Sequence, residues 1–281
     1  MQSYALNHRL PAYAPIDIDI LIRINKIDKL IKLLRNKGFR LSKTIYNYSE
    51  IDLYHNPQLT FVNTSNSKLP RAIDVHLLIF NPTKSIFNSM PVNKGLKITR
   101  QMFLRKRKIK FGPTNFFILE NEDMLLHQCL NFFFHHCCRG KRQLHDIADI
   151  IKILPIKWPV ILERLIEWDL ETYAHYSLQL AKEIYHAPIP KKILDITAAT
   201  GPLRNYISNF INKTTIDQPI NNPRLRYRFN IWLRFLLSKE PIWRNLAKLL
   251  SPIVLLRIIK DLRYVPCLLR SIIPTNSKSH V

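Results

Sequence analysis

Pro15-Ile16-Asp17-Ile18-Asp19-Ile20-Leu21-Ile22 is the stretch from which the rest of the chain can be read. Acidic and apolar residues alternate through Asp19, and the run then becomes continuously apolar. That pattern predicts a β-strand whose far end is buried on both faces. In a strand, residues i and i+2 point to one face about 7 Å apart. Asp17 and Asp19 would therefore share a face and repel unless a cation lay between them. A divalent metal is the natural partner, because hard carboxylate oxygens suit magnesium. An isolated Asp-x-Asp also occurs as a solvated strand edge or a turn cap, so its neighbours carry the interpretation.

Working outward, Ile27 to Gly38 has apolar residues at 27, 30, 31, 33 and 34. This is helical spacing, with Gly38 as its C-cap. Short strands are expected at 44–54 and 58–63, around the Asn56-Pro57 turn. After a polar turn over 65–68, Ala72 to Phe80 reads as a further strand and brings in Asp74. Phosphoryl-type transfer calls for such a set. Two metals clamp the attacking and leaving oxygens, and shared carboxylates bridge them. A third carboxylate from a neighbouring strand completes the site and takes the nucleophile's proton. Asp17, Asp19 and Asp74 are thus the candidate metal ligands and catalytic residues.

Residues 81–117 contain Pro82, Pro91 and Pro113 around a basic run from Lys94 to Lys110. They are expected to form a loop with irregular strand or helix pieces. From Glu120 the periodicity becomes helical: 122–138, 144–154, 158–168, 172–186 and one more helix within 191–213. The tail from Pro223 to Ile273 interleaves Arg with Trp, Phe and Tyr, and reads as amphipathic helices broken by prolines. Strands first and helices later predict an α+β fold. The expected division is an α+β core over 1–118, a helical domain over 119–190 and a basic helical extension over 191–281.

Composition sets the partners. The 281 residues include 43 Lys and Arg against 20 Asp and Glu, a net charge of +23 with pI near 10.1. Such a field attracts nucleic acid, nucleotides or anionic membrane surfaces. An AT-rich coding sequence would raise Lys, Asn and Ile by itself, so compositional drift is the competing source of the charge. No apolar h-region opens the chain, and no uninterrupted apolar run reaches membrane-spanning length. The four cysteines are then expected to be thiols in the cytoplasm, with peripheral membrane contact left open.

Several signatures together resemble the uncharacterised nucleotidyltransferase family of the polymerase-beta-like superfamily. Pro15 to Ile22, followed by an amphipathic helix ending Lys37-Gly38-Phe39, is similar to its Asp-Ile-Asp strand and helix. Ile73-Asp74-Val75-His76 is similar to its Asp-x-His strand. Leu125 to His135 resembles the helix that carries a family His. Leu144 to Ile150 and Ile156 to Leu162 resemble its Asp-Ile helix and Asp-Trp segment, with Lys157 in place of the usual Asp. Leu180 to Pro188 also fits, so the resemblance runs from about residue 9 to 190. It implies a polymerase-beta-like core with a mixed sheet and a helical C-terminal part. It further implies nucleotidyl transfer from a nucleoside triphosphate to an unknown acceptor hydroxyl (on a protein, a small molecule or a nucleic acid), with Mg2+ as cofactor. Superfamily members normally carry a Gly-Ser on a helix before the Asp-x-Asp strand. Here no glycine precedes Gly38, and Arg9 is the nearest match to an Arg usually found before the strand. Two expectations follow: a reading frame that starts late, or a lost nucleotide grip. The second gives the alternative function, a catalytically degenerate relative that binds nucleic acid or a membrane surface.

Other groups have simpler readings. His127, His135, His136, Cys137, Cys138 and His145 cluster in sequence but match no standard zinc spacing; buried thiols and a helix-end histidine account for them. His76 shares a strand face with Asp74 and either orients it, contacts phosphate or packs in the core. The Arg139 and His145 spacing is treated as coincidence. The basic run 94–110 is either a phosphate-steering surface or a solvated loop.

Overall fold

A computed structural model describes residues 17–42, 58–63, 72–80, 92–134, 136, 138, 140–198, 211 and 216. The N-terminal residues before Asp17, the expected strand at 44–54 and the aromatic, basic tail lie outside them. All the described residues fall within one unit of the chain.

The opening stretch forms strand β1 (Asp17–Leu21). A single 3-10 turn, Ile24–Lys26, leads into helix α1 (Ile27–Asn36). Gly38 follows with φ +84°, a left-handed conformation that glycine adopts without steric cost. Its N–H donates to the Arg35 carbonyl at 3.0 Å, which closes the helix and turns the chain into β2 (Phe39–Leu41). Strands β3 (Gln58–Asn63) and β4 (Ala72–His76) complete a four-stranded sheet of order β1-β4-β3-β2. β1 and β4 run parallel, while β4–β3 and β3–β2 are antiparallel. The fold is therefore α+β with a mixed sheet, as the order of elements predicts.

The two faces of this sheet differ. Leu59, Phe61, Ile73 and Val75 alternate along β3 and β4 and are buried. With Phe39 and Leu77 they meet Ile27 and Leu34 of α1, and Leu30 and Ile31 pack against the same cluster. One side of α1 thus covers one side of the sheet. The intervening positions, Thr60, Asp74 and His76, face away from that core and are half-buried.

Residues 92–118 are more regular than expected. Helix α2 (Val92–Arg105) precedes a hairpin of β5 (Arg107–Phe111) and β6 (Thr114–Ile118). The prolines bracket these elements instead of breaking them. Pro91 directly precedes α2, and Pro113 follows Gly112 (φ +55°) in the two-residue hairpin turn. Ile98 and Met102, one helical turn apart, are fully buried in the helical core. Thr99 ties α2 to the sheet: its hydroxyl donates to the Gly95 carbonyl at 2.7 Å and accepts the Ile79 N–H at 3.1 Å.

The helices that follow are α3 (Asn121–Phe134), α4 (Lys141–Ile153), α5 (Trp158–Trp168), α6 (Glu171–Tyr185) and α7 (Lys191–Thr197). α3 stops at Phe134, short of the expected Cys138. The N–H groups of His136 and Cys138 turn back to the Asn131 and Phe132 carbonyls, with Cys138 at φ 55°. α3 lies against α4 and α6, and Leu125, Leu130, Phe132 and Phe133 are buried at this junction. No helix among the described residues is long and apolar enough to cross a membrane.

A buried ionic clamp joins three helices. Asp123 is 0% exposed and receives both Nε and Nη2 of Arg105 at 3.0 Å, and Nη1 of Arg164 at 2.8 Å. Glu120 adds its carboxylate to both arginines. The Arg105 guanidinium also lies 5.9 Å from the Trp168 ring centroid, and Trp168 Nε1 donates to Gln101. Charges this deep are tolerated because each is paired. Asp123→Ala would leave two arginines facing each other with Glu120 alone to balance them. We expect a loss of about 3 kcal/mol in urea unfolding; a loss within the ordinary scatter of surface substitutions would contradict this role.

Candidate active site

The parallel pairing of β1 with β4 sets the site. In the observed register Asp17 lies opposite Ala72, Asp19 opposite Asp74, and Leu21 opposite His76. Register partners on adjacent strands project to the same side, with backbones about 4.8 Å apart. Asp19 and Asp74, separated by 55 positions in sequence, are thereby brought side by side on the face that α1 leaves uncovered. Position 17 is fixed by its backbone register, two residues ahead of Asp19.

Each described carboxylate is oriented by a neighbour. The Thr60 hydroxyl, in register with Asp74 on β3, donates to Asp74 Oδ1 at 2.6 Å. His76 Nε2 lies 2.8 Å from Asp19 Oδ1. His76 thus serves the carboxylate on the neighbouring strand, not Asp74 on its own strand. Asp19 is 72% exposed, whereas Asp74 is half-buried.

α3 contributes His127 to the same region. Its ring stacks on Phe80 with centroids 6.0 Å apart, just beyond the end of β4. Its pKa is lowered from 6.5 to about 4, by burial first and then by the nearby His76, with Asp19 opposing both. His127 is therefore a neutral imidazole at pH 7. Thr60 and His127 are the two groups that sequence reasoning did not assign to the site. Thr60's signal is only the two-residue period of β3, and that of His127 is its place within Leu125 to His135, the stretch that resembles the family's His-bearing helix.

Two of the other groups are placed on the helices. His145 sits on α4 with Nδ1 3.2 Å from Asp149. Cys129 is buried on α3, and burial pushes its thiol well above the usual range. Its backbone carbonyl accepts the Ser177 hydroxyl. His135, Cys137 and Arg139 lie outside the described residues. Among the described side chains, no three His, Cys, Asp or Glu groups converge on one point.

The Asp19 and Asp74 pair suits a hard divalent cation. Both supply carboxylate oxygens to one face, and each is held by a hydrogen bond of the kind that orients metal ligands. Against this geometry stands one finding from comparison with known proteins. The profile described as "Uncharacterised nucleotidyltransferase" matches residues 15–186. That span covers most of the chain, which therefore belongs to this family. No curated protein and no solved structure matches the chain.

The neutral His127 has a measurable consequence. Its folded pKa lies below its unfolded value, so the unfolded chain binds more protons between pH 6.5 and pH 4. Stability is full above pH 6.5 and falls as pH drops through that window, by up to about 3 kcal/mol. In metal-free buffer, wild type should lose roughly this much more than His127→Gln between pH 7.5 and 4.5, measured by urea unfolding. Parallel losses in the two proteins would contradict a buried neutral imidazole.

Proposed function

We propose that this member of the nucleotidyltransferase family transfers a nucleoside monophosphate from a nucleoside triphosphate to an acceptor hydroxyl, at a magnesium site held by Asp17, Asp19 and Asp74. The observation that carries this reading is the register of β1 and β4, which sets Asp19 opposite Asp74. Bound Mg2+ would supply neutralisation of triphosphate charge and polarisation of the reacting phosphoryl group.

The chain's own residues have separate roles in this proposal. Asp19, held by His76, is exposed enough to meet an incoming nucleotide. Asp74, oriented by Thr60, takes the proton as the acceptor hydroxyl attacks the α-phosphorus. The new P–O bond forms as the bond to pyrophosphate breaks, and pyrophosphate leaves with the electron pair. Asp17 adds a further carboxylate from the same strand as Asp19. The acceptor class stays open, because fold alone does not fix a substrate. We assign the activity to the cytoplasm, where thiols such as the buried Cys129 persist.

Equilibrium binding of ATP, GTP, CTP and UTP, with Mg2+ and with EDTA, tests the proposal. Wild type should bind at least one of them only with Mg2+. Asp19→Asn should lose that binding, and Thr60→Val should weaken it roughly 10- to 100-fold by releasing Asp74. Metal-independent binding, or binding that Asp19→Asn retains, would refute the assignment.

A further inference from the structure

The basic run that follows α2 is a built surface of its own. In the β5–β6 hairpin Lys108 pairs with Phe117, and Lys110 pairs with Asn115, so these four positions share one face. All four are exposed, and Phe117 is 62% exposed. The opposite face is anchored: Ile118 packs against the helical core, and Arg107 Nε donates to the Leu119 carbonyl at 3.4 Å. Lys106 completes the outer face. Its Nζ donates to the Phe103 carbonyl at 3.1 Å and lies 5.0 Å from the Phe117 ring centroid.

The chemistry of this face is one-signed. From Lys106 to Ile118 the chain has four basic residues and no Asp or Glu. Lys108 and Lys110 stand about 7 Å apart along one strand. A row of ammonium groups beside an exposed aromatic ring meets the two needs of a single-stranded polynucleotide: phosphate neutralisation and a platform for base stacking. A membrane surface fits less well. Interfacial binding needs a broad apolar face, whereas the hairpin tip is polar, with exposed Thr114 and Asn115.

We propose that the outer face of the β5–β6 hairpin, formed by Lys106, Lys108, Lys110 and Phe117, binds single-stranded nucleic acid. Its residues are not those of the carboxylate site, and the proposal does not depend on the transfer reaction.

The test is fluorescence anisotropy of a labelled oligouridylate about twenty nucleotides long, titrated with the full chain at several salt concentrations. Removing two phosphate contacts with Lys108→Gln and Lys110→Gln together should weaken binding about 10-fold and lower the slope of log K against log salt by about 1.4. Phe117→Ala should weaken binding roughly 10-fold with the slope unchanged. Phe117→Leu keeps the apolar bulk without the π-face and should behave like Phe117→Ala, which separates stacking from folding. Lys191→Gln with Lys192→Gln, on exposed positions of α7, and Asp19→Asn should both bind as wild type. Wild-type affinity in the hairpin variants, or an equal loss in the α7 pair or in Asp19→Asn, would overturn the proposal. So would hairpin-dependent binding to phosphatidylserine vesicles without binding to the oligouridylate.

Discussion

The parallel register between β1 and β4 is the constraint on which the rest depends. A shift of one residue in either strand would turn its side chains to the other face, placing carboxylates in the apolar layer beneath α1. That layer resists the shift. Leu59, Phe61, Ile73 and Val75 are almost wholly withdrawn from water, and each fully buried aliphatic or aromatic side chain contributes about 2 kcal/mol. The apolar face thus determines the chemistry of the opposite face. Ordinary core packing holds Asp19 opposite Asp74 against their mutual repulsion, and Thr60 and His76 then orient the two carboxylates.

The helical part supports this face without supplying its carboxylates. α2 is tied to the sheet through the Thr99 contact with Ile79, and Phe103 lies 5.6 Å beneath the Arg23 guanidinium just after β1. The buried Asp123 clamp fixes α2 against α3 and α5, while Lys97 bonds Glu167 at 2.9 Å on the outside. α3, held in place this way, carries His127 to the Phe80 ring. The Lys157 backbone N–H at the start of α5 donates to Glu122 of α3 at 3.0 Å, which ties these two helices together.

Much of this was legible in the sequence because it depends on local periodicity. The Ile-Asp alternation gives β1, the 27–34 spacing gives α1 up to Gly38, and the later helices follow their apolar spacing to within a few residues. Chemical reasoning and family resemblance group Asp17, Asp19 and Asp74 at one site, whereas the register that sets Asp19 opposite Asp74 is a tertiary fact that spacing does not give. Local pattern failed where tertiary contacts decide. α2 contains Gly95 and four exposed or half-exposed basic residues, and its stability comes from Ile98, Met102 and Arg105 meeting groups distant in the chain. The partner of His76 was likewise hidden, because it is set by strand register and not by the spacing of His76 from Asp74. Thr60 entered the site for the same reason.

The most direct test of the central claim is an anomalous-scattering map from crystals of the protein grown with Mn2+ and a non-hydrolysable nucleoside triphosphate. The account predicts a manganese peak at direct-ligand distance from carboxylate oxygens of Asp19 and Asp74, with the triphosphate alongside it. Manganese and nucleotide bound together elsewhere, with Asp19 and Asp74 ligating nothing, would contradict it.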